Sequence, residues 1–389
     1  MSDISLVLLI IGVLLLTGYA AHIVGKRTHV PRVTLLLLLG LISGPYLLDL
    51  IPKGIEEWFP FIAHMALAMV GFLLGERFYG KHLKSTGRDV LWISAAQTVV
   101  VAFFVFTVLF MSGAGLAISL ILAGIAPATA PAATIDLVQE SRAKGPLSDT
   151  LLGVVALDDA WGIILFSIML ILAEGSVNGS MSEMHFLHGL WEIFGAVLLG
   201  VILGVPMAWL TGRVRKGEPS LLEAAGFVFV CGGLALYLNV SFLLSSMVLG
   251  AVVANRAKHH TKPFRDIKGI SEPFLALFFF LAGYEFELES FYVIGGVAAA
   301  YTVARLIGKV LGGLAGGKIS KAPQVITRGI GWCLVPQAGV AVGMALLVVE
   351  RLPAFGIKIL PIVIASTIIF EVIGPILTLW QLRKSGEVG

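Results

Sequence analysis

Ala-Pro-Ala-Thr-Ala-Pro at residues 126–131 and Val-Pro-Gln-Ala-Gly at residues 335–339 each interrupt a long apolar segment. Proline removes a backbone hydrogen-bond donor and breaks the helical ladder, so carbonyls and amides are released in the middle of each segment. In a membrane, such groups are tolerated only where they are buried in protein or line a cavity. One stretch alone could be an ordinary proline kink, but two at matching positions predict a pair of broken helices.

Apolar segments of similar length make up most of the chain. Of its 389 residues, 58% are hydrophobic and 13% are charged, whereas soluble domains carry about 25% charged residues. A bilayer core about 30 Å thick needs roughly 20 apolar helical residues. The first segment lacks a basic leader region and exceeds a signal-peptide core in length, so it is counted as a span. The sequence therefore predicts an all-α polytopic membrane protein with 13 transmembrane helices at residues 3–24, 32–50, 58–77, 89–112, 116–139, 148–173, 186–211, 220–239, 241–256, 271–288, 290–316, 324–349 and 357–382.

The Lys and Arg residues fall mainly on one side of these predicted spans. Short cytoplasmic loops retain positive charge, and 22 of the 27 basic residues follow odd-numbered spans. Even-numbered spans are followed by only three, together with the acidic run Glu285, Glu287 and Glu289. This asymmetry predicts an N-terminus outside the cell and a C-terminus in the cytoplasm. We expect a multi-pass protein of a bacterial or archaeal plasma (inner) membrane.

An odd number of spans divides into six, one linker and six, and the two groups of six then cross the membrane in opposite senses. Inverted repeats of this type are a common transporter architecture. The interrupted segments are spans five and twelve, which hold equivalent positions in such a scheme. We therefore expect two inverted six-helix repeats.

Five charged side chains are expected to be buried deep within predicted spans, where a charge at the helix centre costs roughly 2.5 to 3.5 kcal/mol. Asp158 and Asp159 are adjacent in span six, Arg305 and Lys309 are one turn apart in span eleven, and Glu371 is in span thirteen. A buried lysine can lose its proton whereas an arginine cannot. We expect Lys309 to be the exchangeable partner of the carboxylates, or alternatively one side of a static salt bridge. Arg305 and Glu371 are interpreted as structural buried charges that pair with each other.

Oxygen atoms in the two interruptions are candidate accessory ligands for a dehydrated small cation, namely the Thr129 hydroxyl and the Gln337 amide oxygen. The sequence argues against other chemistries. Cys231 and Cys333 lack disulfide or metal-site spacing, and a net charge of +3 offers no basic face for nucleic acid. No nucleophile or acid/base pair indicates an enzyme, and no cofactor is expected.

Together these residues resemble the cation/proton antiporter superfamily, its second branch, and within that branch the NapA-like sodium/proton antiporters. The resemblance covers essentially the whole chain. It is carried by the thirteen spans, crossed broken helices five and twelve, the Asp158-Asp159 pair and Lys309. It implies that Asp159 is the principal carrier of cation and proton and that Asp158 pairs with Lys309. The expected ligands of the transported Na⁺ are Asp159, Asp158 and Thr129. Some relatives carry an acidic residue in the second broken helix, where this chain has Gln337.

The resemblance also implies a division of labour along the chain. Residues 1–88 and 220–288 would form a dimerisation domain, residues 89–175 and 290–384 a core ion-translocation domain, and residues 186–211 a linker helix. The core would move like an elevator within a homodimer.

The expected function is therefore electrogenic exchange of Na⁺ or Li⁺ for H⁺ across a lipid bilayer, with Asp159 as the shared site. A K⁺/H⁺ antiporter of the same fold is the first alternative. A sodium-coupled organic-solute symporter and a gated channel are the others.

Overall fold

Helices form all the regular secondary structure in the part of the chain that the computed structural model describes. The described residues are 3–28, 32–45, 47–50, 58–78, 87–177, 183–211, 220–259, 261–284, 288–337 and 339–388. The α-helices are α1 (Asp3–Thr28), α2 (Arg32–Ser43), α3 (Phe59–Gly75), α4 (Arg88–Met111), α5 (Leu116–Ile125), α6 (Pro131–Glu140), α7 (Pro146–Val177), α8 (Glu183–Thr211), α9 (Ser220–Tyr237), α10 (Phe242–Arg256), α11 (Thr261–Tyr284), α12 (Leu288–Ser320), α13 (Gln324–Cys333), α14 (Gly339–Arg351) and α15 (Pro353–Lys384). A short 3₁₀ helix, Glu76–Phe78, follows α3.

Several of these helices have the length and composition of membrane spans. Among the described residues, six are long and apolar enough to cross a bilayer: Asp89–Met111, Pro146–Val177, Trp191–Thr211, Thr261–Tyr284, Gly295–Ser320 and Pro353–Lys384. Five shorter apolar helices accompany them: Leu8–Ala21, Pro60–Gly75, Leu116–Ile125, Leu221–Tyr237 and Phe242–Arg256. The predicted all-α membrane class is confirmed, whereas the number of 13 spans and the inverted repeats stay predictions.

The second predicted span is shorter than expected. The sequence predicts a helix over residues 32–50, but α2 has 12 residues and ends at Ser43. Gly44 and Pro45 follow directly, and proline disfavours a helical conformation in the residue before it. The chain then turns, and Asp49 has a left-handed backbone with φ 45°. The prediction of one continuous helix from this apolar run is therefore wrong.

Both proline-rich interruptions lie where the sequence predicts them. The first separates α5, which ends at Ile125, from α6, and the second separates α13, which ends at Cys333, from α14. The Ala130 N–H donates a hydrogen bond to the carbonyl oxygen of Pro336 over 3.1 Å. The two interruptions are therefore in direct contact, as crossed broken helices require.

The chain divides into two compact units. The first comprises Met1–His82 and Glu183–Phe286, and the second comprises Leu83–Ser182 and Glu287–Gly389. In the first unit α11 packs against α2 and α3, and α10 packs against α3 and α8. In the second, α4 lies along α12, α5 along α7, and α14 along α15. The dimerisation and ion-translocation roles expected for the corresponding segments stay predictions.

Three glycines on one face of α12 allow α4 to approach closely. A Cβ atom would lie 3.3 Å from the Val101 Cα at Gly308, 2.9 Å from the Gln97 Cα at Gly312, and 2.7 Å from the Ile93 Cα at Gly316. Small residues at a four-residue spacing are typical of close helix packing in membranes. This packing fixes α12, the helix that carries the buried side chains of Arg305 and Lys309, against α4.

We expect Gly316→Ala to destabilise the protein, because the added methyl group would meet the α4 backbone. Overpacking of this kind costs about 1–3 kcal/mol. The measurement is the midpoint of thermal unfolding in detergent. Gly296→Ala, on the same helix, is the matched control because none of the described residues outside its own stretch of helix has an atom within 4 Å of the position that the methyl group would take. Equal midpoints for the two variants would contradict the close approach.

Candidate ion-binding site

The seven site residues predicted from the sequence are all buried in the second unit. Asp158 and Asp159 lie on α7, Arg305 and Lys309 on α12, Thr129 and Gln337 in the two interruptions, and Glu371 on α15. The side chains of Arg305 and Lys309 are 0% exposed, and the two aspartates are 0% and 2% exposed. Charges this deeply buried are costly unless other groups compensate them.

Arg305 joins the two interruptions through backbone carbonyls. Its Nε donates to the Ala126 oxygen over 3.0 Å and its Nη2 to the Ala128 oxygen over 2.7 Å, both in the first interruption. Its Nη1 donates to the Val335 oxygen in the second interruption over 2.8 Å. The ring of Phe370 lies 4.5 Å from the guanidinium carbon. One planar guanidinium therefore satisfies carbonyls that the broken helices release, which supports the structural interpretation of this charge.

Lys309 lies one turn further along α12 and contacts both an interruption and a carboxylate. Its Nζ donates to the Pro127 carbonyl oxygen over 2.6 Å and lies 3.6 Å from Asp158 Oδ2. Because both side chains are 0% exposed, little solvent screens this ion pair. Asp159 is also close enough to interact with the Lys309 charge.

The helix α7 presents Asp158 towards α4 and α12, and its next turn meets the first interruption. A Cβ atom at Gly162, one turn after Asp158, would be in van der Waals contact with Ala128 at 3.8 Å. The Gln97 side chain of α4 lies beside the Asp158 carboxylate and is itself 0% exposed. The Asp158 environment therefore combines a cation, an amide and released backbone oxygens.

The two expected accessory ligands differ in their surroundings. Thr129 is 1% exposed, and its hydroxyl makes no hydrogen bond to any residue that the structure describes. The Gln337 amide is bound at both ends: its Nε2 donates to the Tyr301 hydroxyl over 3.4 Å, and its Oε1 accepts from Ser366 Oγ over 3.2 Å. Thr129 thus has an oxygen available for a cation, whereas Gln337 braces the second interruption against α12 and α15.

Glu371 is buried at 5% exposure on α15. Its neighbour Phe370 is the residue that lies over the Arg305 guanidinium. Pairing of Glu371 with Arg305 stays a prediction.

Comparison with known proteins identifies the family of this chain. The family described as "Sodium/hydrogen exchanger, transmembrane" matches residues 11–383. The chain belongs to this sodium/hydrogen exchanger family. The resemblance to the cation/proton antiporter superfamily is confirmed, while the branch within it stays a prediction.

Two similar proteins extend this result. The ammonium/H⁺ antiporter subunit AmhT of Alkalihalophilus pseudofirmus is 26% identical over 352 residues, which are 88% of this chain and 87% of that protein. The solved structure of the sodium proton antiporter MjNhaP1 of Methanocaldococcus jannaschii has a TM-score of 0.74 at 19% identity, covering 98% of this chain and 97% of that one. The second likeness concerns the fold. This member of the sodium/hydrogen exchanger family is thus a multi-pass cation/proton antiporter, in agreement with the expectation that it is not an enzyme.

Sequence reasoning about this exchanger missed four residues around the site: Gln97, Tyr301, Ser366 and Phe370. A lone amide in an otherwise apolar span is a detectable signal, and it would have identified Gln97. Tyr301 precedes Arg305 by four residues and therefore shares its helix face. The positions of Ser366 and Phe370 depend on how α15 packs, which no local pattern encodes.

Proposed function

We propose that this chain is a secondary antiporter that exchanges Na⁺ or Li⁺ for H⁺, with Asp159 as the shared site. Asp158 and Thr129 contribute ligands to the transported cation. A cation and a proton each neutralise one carboxylate, so they compete for the same position. The observation that carries the proposal is the fully buried contact between Lys309 Nζ and Asp158 Oδ2, which is 3.6 Å long. An incoming cation can replace the Lys309 ammonium as the counter-charge of the Asp158 carboxylate.

The Lys309 pair also gives a reason for electrogenic exchange. When a cation binds at Asp158, the carboxylate balances the charge of the cation and no longer that of the Lys309 ammonium. A buried ammonium without a counter-charge is unfavourable. Lys309 then releases its proton, and Asp159 releases a second as it binds the cation. Two protons would therefore move for each monovalent cation, with net movement of charge.

We extend the proposal to the architecture in which this exchange operates. The 13 spans form two inverted repeats with the N-terminus outside and the C-terminus in the cytoplasm of a bacterial or archaeal cell. The protein is a homodimer in the inner membrane, and the segments at residues 89–175 and 290–384 move like an elevator. The released carbonyls at both interruptions and the 22 basic residues after odd-numbered spans support this arrangement.

Reconstitution tests the proposal directly. Purified protein is placed in vesicles with a pH-sensitive dye inside, a pH gradient is imposed, and Na⁺, Li⁺, K⁺ or choline is added in turn. We expect Na⁺ and Li⁺ to dissipate the gradient and choline to leave it unchanged. Cation flux without obligatory proton movement would indicate a channel and overturn the proposal.

Ammonium/H⁺ exchange is a second candidate, and the similarity to the ammonium/H⁺ antiporter subunit AmhT favours it. Ammonium and K⁺ are similar in size, so the alternative of K⁺/H⁺ antiport belongs to the same test. In the vesicle assay these ions would dissipate the gradient more strongly than Na⁺. Protein-free vesicles provide the correction for ammonia that crosses the lipid.

Lys309→Gln is expected to reduce the charge moved per transport cycle. The amide cannot release a proton, so the second proton of the cycle is lost. The measurement is the current produced on a solid-supported membrane after a Na⁺ concentration jump. Lys318→Gln is the matched control because Lys318 is exposed near the end of the same helix. Unchanged current in Lys309→Gln would leave the lysine as a static partner of Asp158.

A further inference from the structure

The helix that carries Asp158 and Asp159 has no cap of its own. The first N–H groups of a helix have no acceptor within it, and α7 begins at Pro146. The residue before it, Gly145, has no side chain that could accept a hydrogen bond. The N–H groups of Leu147 and Ser148 therefore need an acceptor from elsewhere.

Glu387 provides that acceptor from the segment after α15. The Leu147 N–H donates to Glu387 Oε1 and the Ser148 N–H donates to Glu387 Oε2, each over 2.7 Å. Hydrogen bonds to an ionised carboxylate are among the stronger ones in proteins. A negative charge at this position also complements the positive end of the helix dipole.

The backbone around Glu387 holds the carboxylate in place. Gly386 has φ 75°, a left-handed conformation that glycine adopts freely, and it turns the chain back towards α7. The Lys144 N–H then donates to the Glu387 carbonyl over 3.0 Å, and the Glu387 N–H donates to the Leu382 carbonyl over 3.1 Å. Glu387 is only 9% exposed, so its carboxylate is part of the folded structure.

Gly145 leaves the space that the Glu387 carboxylate occupies. A Cβ atom at this position would overlap the Glu387 carboxyl group and lie 2.6 Å from its Cγ. The sequence thus places a glycine where any other side chain would displace the carboxylate. A substitution at Gly145 therefore disrupts the same contact without removing the charge.

The capped end of α7 is connected to the ion site through one buried cluster. Leu147, Leu151 and Val154 on α7 pack with Ile330 on α13 and Leu382 on α15. Asp158 follows Pro146 by 12 residues, about 18 Å along the helix axis. Because protein interiors are close-packed and transmit strain, a shift at the start of α7 changes the position of Asp158 relative to Lys309.

We propose that Glu387 is a positioning residue for the carboxylate pair of α7: by capping the helix it fixes the distance between Asp158 and the groups on α12. This inference rests on the proposed function. It adds a residue more than 200 positions away in sequence to the determinants of cation affinity. The role is distinct from mere stabilisation, which would change the amount of active protein and leave its affinity unchanged.

The test compares Na⁺ dependence in vesicles reconstituted with equal amounts of folded protein. Losing a helix N-cap shifts an equilibrium by about two- to thirtyfold. We expect the apparent KM for Na⁺ to rise about fivefold in both Glu387→Ala and Gly145→Ala. Glu387→Gln keeps one acceptor oxygen and should fall between wild type and Glu387→Ala. Ser385→Ala is the matched control, because the Ser385 hydroxyl donates to the Leu382 carbonyl three residues earlier in the same segment.

Amide hydrogen exchange of residues 147–150 gives a readout that does not depend on transport. Exchange should accelerate in Glu387→Ala and Gly145→Ala and stay unchanged in Ser385→Ala. A normal KM with only a lower maximal rate, or unaltered exchange, would overturn the positioning role. Absence of cation-driven proton movement in the wild type would instead overturn the proposed function, while the exchange data would still decide whether Glu387 caps α7.

Discussion

Asp159→Asn is expected to abolish cation-driven proton movement in reconstituted vesicles. Asparagine cannot take up or release a proton, and it cannot neutralise the charge of a bound cation. Asp159 is only 2% exposed, and a neutral water molecule could not supply the negative charge of the missing carboxylate. The measurement is dissipation of a pH gradient on addition of Na⁺, with the signal of protein-free vesicles as the baseline.

A second carboxylate on α7 provides a control that tests whether the loss of transport is specific to Asp159. Asp149→Asn is the matched control, because Asp149 is exposed in the first turn of the same helix and a charge there is worth only about 0.3–1 kcal/mol. We expect this control to transport at the wild-type rate. Asparagine has nearly the same size and shape as aspartate, so we expect the unfolding midpoint of Asp159→Asn to stay close to that of the wild type. Retained Na⁺-driven proton movement in Asp159→Asn would show that another group carries the ions.

The all-helical class and the two interruptions could be predicted from the sequence because their causes are local. Pro127 and Pro336 remove backbone donors, and α5 and α13 each end a few residues before one of them. The length of α2 was predicted incorrectly because apolar composition alone does not distinguish a helix from an apolar turn. Only the Gly44-Pro45 dipeptide carried that information.

The residues of the candidate site were identified from the cost of burying charge, and Lys309 was expected beside Asp158, where the structure places it. The backbone acceptors of Arg305 and Lys309 were not predicted. A buried charge must be compensated, so Asp158, Asp159, Arg305, Lys309 and Glu371 could be selected without a structure. The Arg305 and Lys309 side chains donate mainly to backbone carbonyls in the interruptions. Any residue type supplies a carbonyl, so no side-chain pattern could predict these bonds.

The hydrogen-bond partner of Gln337 could not be predicted from the sequence either. Its amide oxygen matched the chemistry of a cation ligand, and that role stays a prediction. In the structure this oxygen accepts from Ser366, a residue that neither spacing nor composition connects to it. A cation at Gln337 would have to compete with that hydrogen bond.

Arg305→Leu is expected to destabilise the protein more than any other single substitution described above. The change leaves the carbonyls of Ala126, Ala128 and Val335 without their donor in the protein interior. Each buried unsatisfied group costs about 1–3 kcal/mol, so the combined loss should exceed about 3 kcal/mol. The measurement is the midpoint of thermal unfolding in detergent, followed by loss of monodisperse protein on size-exclusion chromatography.

Arg305→Lys separates the effect of charge from that of geometry. Lysine keeps the positive charge, but its ammonium is a point donor that cannot match the planar fork of a guanidinium. We therefore expect an unfolding midpoint between those of wild type and Arg305→Leu, with reduced transport. Arg328→Leu, at an exposed position on α13, is the control for loss of an arginine as such. If Arg305→Lys matched the wild type in both stability and transport, charge alone would hold the two interruptions together, and the three directed hydrogen bonds would be dispensable.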